Sequence, residues 1–334
     1  MTTNDSQTLD PKTPVPAAPE ADEGKQKLSE RFNIRAIMPV LGFVVILGFF
    51  AIATGGSILT PKNLTLMLSG SYVLMIASVG VFMIMTMGCL DFSQGSMLGV
   101  TCIVVCTLSK YNVVLAIVGG IVAGGCIGAI NAYFHVRRQI PSFIVTMCMM
   151  FLLRGVCAYL TTDAPAAAAS YMTDFNQLPF MLGCVVVVLL IVFFLYRFTA
   201  LGSNLKAIGA GEKAARFAGV NVNRTKVLVY VAAGCITGFA AFLSAIRNGS
   251  VTSTAGNMLE TQILIALVLG GMPISGGAKA RFSNVVMGVL SYEVLQKGLV
   301  MMGFTTEIQQ LIMGVVFLIV VALFSDRDSI AVIK

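Results

Sequence analysis

The chain has 334 residues, of which 57% are hydrophobic and 11% charged, and its mean hydropathy is +0.89. A soluble domain carries roughly 45–50% apolar and about 25% charged residues, so a cytosolic enzyme, a secreted disulfide scaffold and a disordered protein are all excluded. In a chain whose solvent is the bilayer, the formal net charge of +7 reads as topology rather than as nucleic-acid binding.

Residues 1–35 are polar, with Pro11, Pro14, Pro16 and Pro19 and mixed charges. A secretory signal needs an apolar core straight after a short basic start; this segment instead predicts a disordered cytoplasmic tail. A membrane domain is expected over 36–325, and a second cytoplasmic tail over 326–334. About 20 apolar residues cross a hydrocarbon core of roughly 30 Å. Windows of that kind predict ten spans: 36–54, 71–89, 95–109, 112–134, 143–161, 177–196, 227–246, 261–275, 283–303 and 308–324. An even count puts both termini on one side. Of the 22 Lys+Arg, seventeen fall in the loops of that side, against Lys62, Lys110 and Arg247 opposite and Arg154 and Lys297 inside spans. The positive-inside rule then makes this a multi-pass inner (plasma) membrane protein with cytoplasmic termini.

The expected fold is all-α and polytopic, about ten transmembrane helices in two inverted halves with short or broken helices. Spans 95–109 and 261–275 are short, stand third in each half and run in opposite directions. Each borders a glycine-rich turn, Gly88–Ser96 and Gly270–Gly277. Such matched interruptions point to a binding site between inverted repeats.

Ionisable groups inside spans cost at least about 2.5–3.5 kcal/mol each on insertion scales. Asp91, Arg154, Glu260, Glu293 and Lys297 are therefore candidates for a translocation pathway or its gates. Asp91 is expected to accept backbone N–H bonds and cap a helix beginning near Ser93. Glu293 and Lys297, four apart, are expected to neutralise each other, and Arg154 to satisfy carbonyls or snorkel outward. Gly120, Gly124 and Gly128 predict close helix packing, and Asn131 continues their face toward a polar cavity or a neighbouring helix. The eight cysteines include no CxxC pair and only His135 could join them on a metal, so they are expected to be small packing residues.

The longest cytoplasmic loop, 197–226, is punctuated by Gly209 and Gly211. Glu212 to Ala218 predicts a short helix, acidic at its start, with Arg216 near its end and Gly219 as its stop. Glu212 and Arg216 form an i,i+4 pair, and Ala214, Ala215 and Ala218 are expected to offer a smooth face. A structured basic helix outside the bilayer suits docking to a soluble partner. No phosphate-binding loop, zinc-protease motif, nucleophile elbow or metal cluster is present. The residues describe a conduit, with no cofactor expected, rather than an enzyme.

Gly88-Cys-Leu-Asp-Phe-Ser-Gln-Gly-Ser96 resembles the G-G-I-D-L-S-V-G-S signature of bacterial ABC permeases for ribose, arabinose, xylose and galactosides. Asn131…Pro141-Ser-Phe-Ile-Val-Thr146…Arg154-Gly155 is similar to that family's N-G…P-x-F-I-x-T…R-G segment. Leu201-Gly202…Ala207-Ile-Gly209…Ala214-Ala-Arg216…Gly219-Val220 resembles its cytoplasmic loop, and Glu260 with Ala266–Gly271 its G-Y-E-L…A-A-V-V-L-G-G segment. Cys89, Gln94, Ser203 and Gly211 depart from the pattern, as does Ala278-Lys-Ala-Arg-Phe282 after the second glycine turn. The resemblance implies a permease subunit paired with a second copy, a cytoplasmic ATPase and an extracytoplasmic sugar-binding protein. It makes the 201–220 loop the coupling element. The rival readings are an ion-coupled secondary transporter of a small polar solute, with Asp91, Glu260 and Glu293 as its relay, and a passive channel or receptor.

Overall fold

The computed structural model describes residues 34–324 apart from Ala278, so the two predicted tails lie outside the described residues except for Ile34 and Arg35, which open the first helix instead. Twelve α-helices make up the described chain: α1 (Ile34–Ala53), α2 (Pro61–Thr86), α3 (Gln94–Ser109), α4 (Val113–Ala132), α5 (Ser142–Leu160), α6 (Leu178–Phe198), α7 (Ala200–Ala210), α8 (Glu212–Phe217), α9 (Val222–Asn248), α10 (Leu259–Leu269), α11 (Ser283–Met301) and α12 (Thr306–Phe324). The fold is all-α and polytopic. Its only strands among the described residues, β1 (Ala166–Ala167) and β2 (Ser250–Val251), pair antiparallel between two loops.

Ten of these helices stand where the ten spans are expected. Five are long and apolar enough to cross a membrane: α2, α4 with its continuation to Arg137, α5, α6 and α9. α3 and α10 are apolar but shorter, α1 and α12 are apolar over Pro39–Ala53 and Thr306–Ala322, and α11 carries Glu293 and Lys297. Two boundaries need correction. α2 starts ten residues before the expected 71, because Pro61 fits the first turn, where its missing N–H costs nothing. α10 ends at Leu269 rather than 275, where Gly270 and a positive-φ Gly271 turn the chain. Elsewhere side-chain caps mark the starts: Asn112 accepts from Val114 N–H (2.8 Å) and Asn221 from Arg224 N–H (3.1 Å).

The packing follows two related halves. α2 and α9 touch at the centre. α9 packs on α3 and α4 as α2 packs on α10 and α11, while α3 packs on α4 and α5 as α10 packs on α11 and α12. α3 and α10 begin against each other: a Cβ on Gly95 would stand 2.3 Å from the Gly256 carbonyl, and one on Gly256 1.9 Å from the Gly95 carbonyl. From that meeting point they run apart. Ser109, ending α3, bonds Ala169 N–H (3.0 Å) at one end of the molecule, and the turn after α10 places Gly277 N–H on the Thr86 carbonyl (3.0 Å) at the other.

Of the five long apolar helices α2 is the most enclosed, and α6 turns most of its surface outward. Val118, Phe151, Leu190, Phe194 and Leu318 are exposed, as helices solvated by hydrocarbon require. All eight cysteines are free thiols. Cys126 and Cys148 are exposed on the helix surface rather than packed inside, which corrects the uniform packing role expected of them.

Candidate functional site

A buried polar seam crosses the middle of the molecule. The turn before α3 carries Asp91, only 1% exposed. Its Oδ1 accepts the N–H (2.8 Å) and hydroxyl (2.6 Å) of Ser93, and its Oδ2 accepts the Gln94 side-chain amide (2.6 Å). Asn131 of α4 donates to Ser93 Oγ (2.9 Å), and Thr237 of α9 donates to Gln94 Oε1. Asp91 therefore orders the turn as expected, but by binding the residues that start α3 rather than as a simple cap. Asn131 makes a helix–helix hydrogen bond. Gln94 and Thr237 were not expected here; the signal for Thr237 was its place one turn from Gly234 and next to Gly238, which meet α4. Burial without water makes such a network expensive to leave unpaired and firm once complete.

The glycine stripe explains how α4 and α9 come close enough. A Cβ on Gly124 would lie 2.1 Å from the Gly234 carbonyl, and one on Gly120 2.9 Å from that of Gly238. Backbone meets backbone along this join.

Glu260, 4% exposed, stands in the first turn of α10 and pairs with Arg154 of α5. Arg154 thus neither snorkels alone nor caps carbonyls; it neutralises a carboxylate at the start of a helix, a place that favours negative charge. Glu260 Oε2 lies over Gly95 and has no hydrogen-bond partner among the described residues.

Beyond the meeting point of α3 and α10 lies a cavity of about 470 Å³, lined among others by Gly70, Arg247, Gln262, Glu293, Gln296 and Lys297. The expected Glu293–Lys297 ion pair is not formed: the described ion pairs are Arg154–Glu260, Arg216–Glu212 and Lys226–Glu212. Both side chains face the cavity instead of each other. Gly70 leaves room for Glu293, and Arg247 donates to the Gly70 carbonyl (3.3 Å).

At the opposite end stand α7 and α8. α7 was not expected; Thr199 caps it by accepting Leu201 N–H (3.2 Å). Gly202 is forced by the Tyr196 carbonyl, 1.8 Å from where its Cβ would be, and Gly209 by the Thr86 carbonyl, 2.1 Å away. Leu201 and Ala207 are half-buried. These residues seat the pair on α6, on the end of α2 and on the turn after α10. In α8 the expected Glu212–Arg216 pair is present at 3.3 Å, and Gly219, at φ +85°, follows its end. Ala214 and Ala218 are exposed, but Ala215 is 3% exposed and lies beneath the helix, which corrects its place on the smooth face.

Two residues here were missed. Phe217 is 92% exposed, a bare aromatic beside Ala214 and Ala218. Lys226, one turn into α9, reaches Glu212 Oε2 (2.8 Å) and ties α8 to the long helix. That hydrogen bond holds the Glu212 carboxyl below its ordinary value of 4.5.

Comparison with known proteins places the chain in a family. Residues 63–321 match the family model described as branched-chain amino acid transport system / permease component. An L-arabinose ABC transporter permease protein of Azospirillum brasilense is 33% identical over 294 residues, covering 84% of this chain and 85% of that protein. The ribose import permease of Bacillus subtilis (strain 168) is 29% identical over 324 residues, 92% of this chain and 99% of its own. That of Escherichia coli (strain K12) is 28% identical, covering 80% and 87%. No solved structure matches the chain.

Proposed function

The chain belongs to the permease family whose relatives include the ribose, arabinose and xylose ABC permeases, and from that premise we propose that it is the membrane subunit of an ABC importer for a monosaccharide of that kind. The basic end faces the cytoplasm and both termini lie there. A soluble ATPase docks on α7 and α8, an extracytoplasmic binding protein delivers the sugar at the other end, and a second copy completes the pathway. The observation that carries this reading is the α7–α8 pair, seated on three elements and presenting Phe217 bare. A conduit driven by an ion gradient has no use for such a surface.

On this reading the cavity by Glu293 and Lys297 receives the solute. It offers charged and amide groups and no aromatic ring. A sugar there is held through its hydroxyls without a stacking platform, weakly enough to leave. Arg154–Glu260 and the Asp91 seam lie between this cavity and the cytoplasmic end, where they act as gates. Closure of the ATPase reaches α9 through the Glu212–Lys226 tie.

The test is reconstitution in proteoliposomes. Uptake of arabinose, ribose or xylose is expected only when the chain is combined with its ATPase, its binding protein and ATP. Uptake by this chain alone under a proton or sodium gradient overturns the reading in favour of secondary transport.

A further inference from the structure

At the end of α4 the α-helix widens into a single π-turn, Tyr133–Arg137. Beside that turn lies a cavity of about 560 Å³ lined by Tyr133, Arg137, Gln139 and Asn223, with Ala129 and Val227 as its apolar wall. Asn223 and Val227 also belong to a second groove, of about 640 Å³, which continues along α9 past Arg224, Leu228, Val231 and Ala232. The two adjoin through Asn223 and Val227: the first is polar, with the cationic Arg137 at its mouth, and the second is aliphatic, with Arg224 lending it the apolar stem of its side chain. Among the described residues no carboxylate lies within ion-pair distance of Arg137 or Arg224. Arg138 stands over the Tyr133 ring, 5.9 Å from its centroid, and adds a third positive charge at the mouth.

Two unpaired guanidinium groups at a helix end suit a phosphate, which they can grip through paired N–H donors. A free phosphate or a sugar has no use for the aliphatic continuation. An acyl chain does, since α4 and α9 are long apolar spans and the groove runs along α9 into the hydrocarbon depth. A second copy of the chain is a poorer occupant. A two-fold contact through this face brings the same arginines toward their own copies. We propose that this recess is a binding site for one anionic glycerophospholipid, its phosphate on Arg137 and Arg224 and one acyl chain along Val227, Leu228 and Val231. The leaflet that supplies it, the cytoplasmic one, follows from the orientation proposed above; the presence of the site does not. A lipid there braces the start of α9 within one turn of Lys226, beside the tie to α8.

The experiment uses the full chain purified in mild detergent and offered equal amounts of phosphatidylglycerol and phosphatidylcholine, with retained lipid counted by native mass spectrometry. Wild-type protein is expected to keep phosphatidylglycerol in preference. Arg137→Gln combined with Arg224→Gln is expected to cut that retention roughly tenfold or more, and the matching pair of Lys substitutions to restore part of it, since an ammonium keeps the charge but not the paired donors. Leu228→Trp, which fills the aliphatic groove from its exposed side and leaves both arginines in place, is expected to lose the lipid as well. Arg197→Gln, which removes an exposed arginine at the end of α6, leaves retention unchanged. Undiminished phosphatidylglycerol in the Gln pair, or equal loss in Arg197→Gln, overturns the site. So does a Gln pair that falls from dimer to monomer with its lipid count intact, which would make this face a contact between copies.

Discussion

The α4–α9 and α2–α11 junctions hold equivalent places in the two halves, yet one is shut and the other open. Between α4 and α9, Gly120, Gly124, Gly234 and Gly238 let the two backbones touch. Between α2 and α11, Gly70 faces the carboxylate of Glu293, and beside it lies the cavity with Lys297 and Arg247. Both junctions use glycine, with opposite results. Four glycines against backbone remove every adjustable atom from the contact, whereas one glycine against the end of a flexible side chain leaves space that can be filled or vacated. The difference teaches where the molecule is stiff. α9 is fixed along α4 and spans from the Lys226 tie at one end to Arg247 at the cavity mouth. On the proposed function it transmits, while the α2–α11 side yields.

The harshest way to break this comparison is to put a side chain into the shut junction. Gly124→Val places its Cβ 2.1 Å from the Gly234 carbonyl, and neither backbone can retreat without parting the helices. Overpacking costs typically about 1–3 kcal/mol and more where nothing can give. The variant is expected to disappear from the membrane fraction. Gly183→Ala on α6, where nothing lies within 4 Å, should accumulate like wild type. Equal accumulation of both would mean that the junction is not close-packed.

The next largest effect belongs to the seam that the shut junction encloses. Asp91→Ala removes the acceptor for Ser93 N–H, the Ser93 hydroxyl and the Gln94 amide. Leaving buried donors unpaired costs about 1–3 kcal/mol. The protein is expected to insert but to melt earlier, and pentose uptake to stop. Wild-type uptake would take Asp91 out of any gating role.

Much of this was legible in the sequence because single residues announced it. The ten helices follow from apolar windows, the α4 stripe from glycine spacing, Asp91 from a carboxylate among apolar runs, and α8 from charges at its two ends. What stayed hidden depended on who stands opposite. Glu293 and Lys297 have the spacing of an ion pair, and only the cavity shows that both turn away from it. Arg154 and Glu260 are 106 residues apart, and no local pattern joins them. Ala214 and Ala215 are identical in sequence terms, yet one is exposed and the other lies against the body. α7 escaped because Gly209 read as a break; it and Gly202 are seats for the Thr86 and Tyr196 carbonyls.

A smaller effect is expected at the tie that joins the stiff side to α8. Glu212 is well exposed, and such pairs are worth at most about 1 kcal/mol. Its lowered carboxyl means that the tie contributes at all pH above the ordinary carboxylate range and is lost only as pH falls through the depressed value. Hydrogen exchange of the α8 amides should therefore stay slow from neutral pH down past 4.5. In Lys226→Met, α8 should exchange faster even at neutral pH. The same variant should keep basal ATP hydrolysis in the reconstituted complex and lose much of its stimulation by loaded binding protein. Phe217→Ala should lose that stimulation with α8 exchange unchanged, which separates docking from transmission. Stimulation intact in both would leave the stiff side without a link to the ATPase.

The smallest effect on stability is expected in the open junction. Had Glu293 and Lys297 neutralised each other, removing either would strand a charge, and removing both would repair the damage. They face a cavity and make no ion pair with each other, so each loses only a longer-range attraction when the other is removed. The losses of stability in Glu293→Gln and Lys297→Met are then expected to couple in the double variant by no more than about 0.5 kcal/mol, the low end for neighbours that share a cavity. Uptake should behave differently: each single change alters the groups offered to the solute, so each should slow transport, and the double variant should be slower still. Thermal melting of the four proteins with uptake in the same preparations makes the test. Recovery of both stability and uptake in the double variant would mean that the two side chains do pair in the working protein. The open junction would then be as closed electrostatically as the α4–α9 junction is sterically.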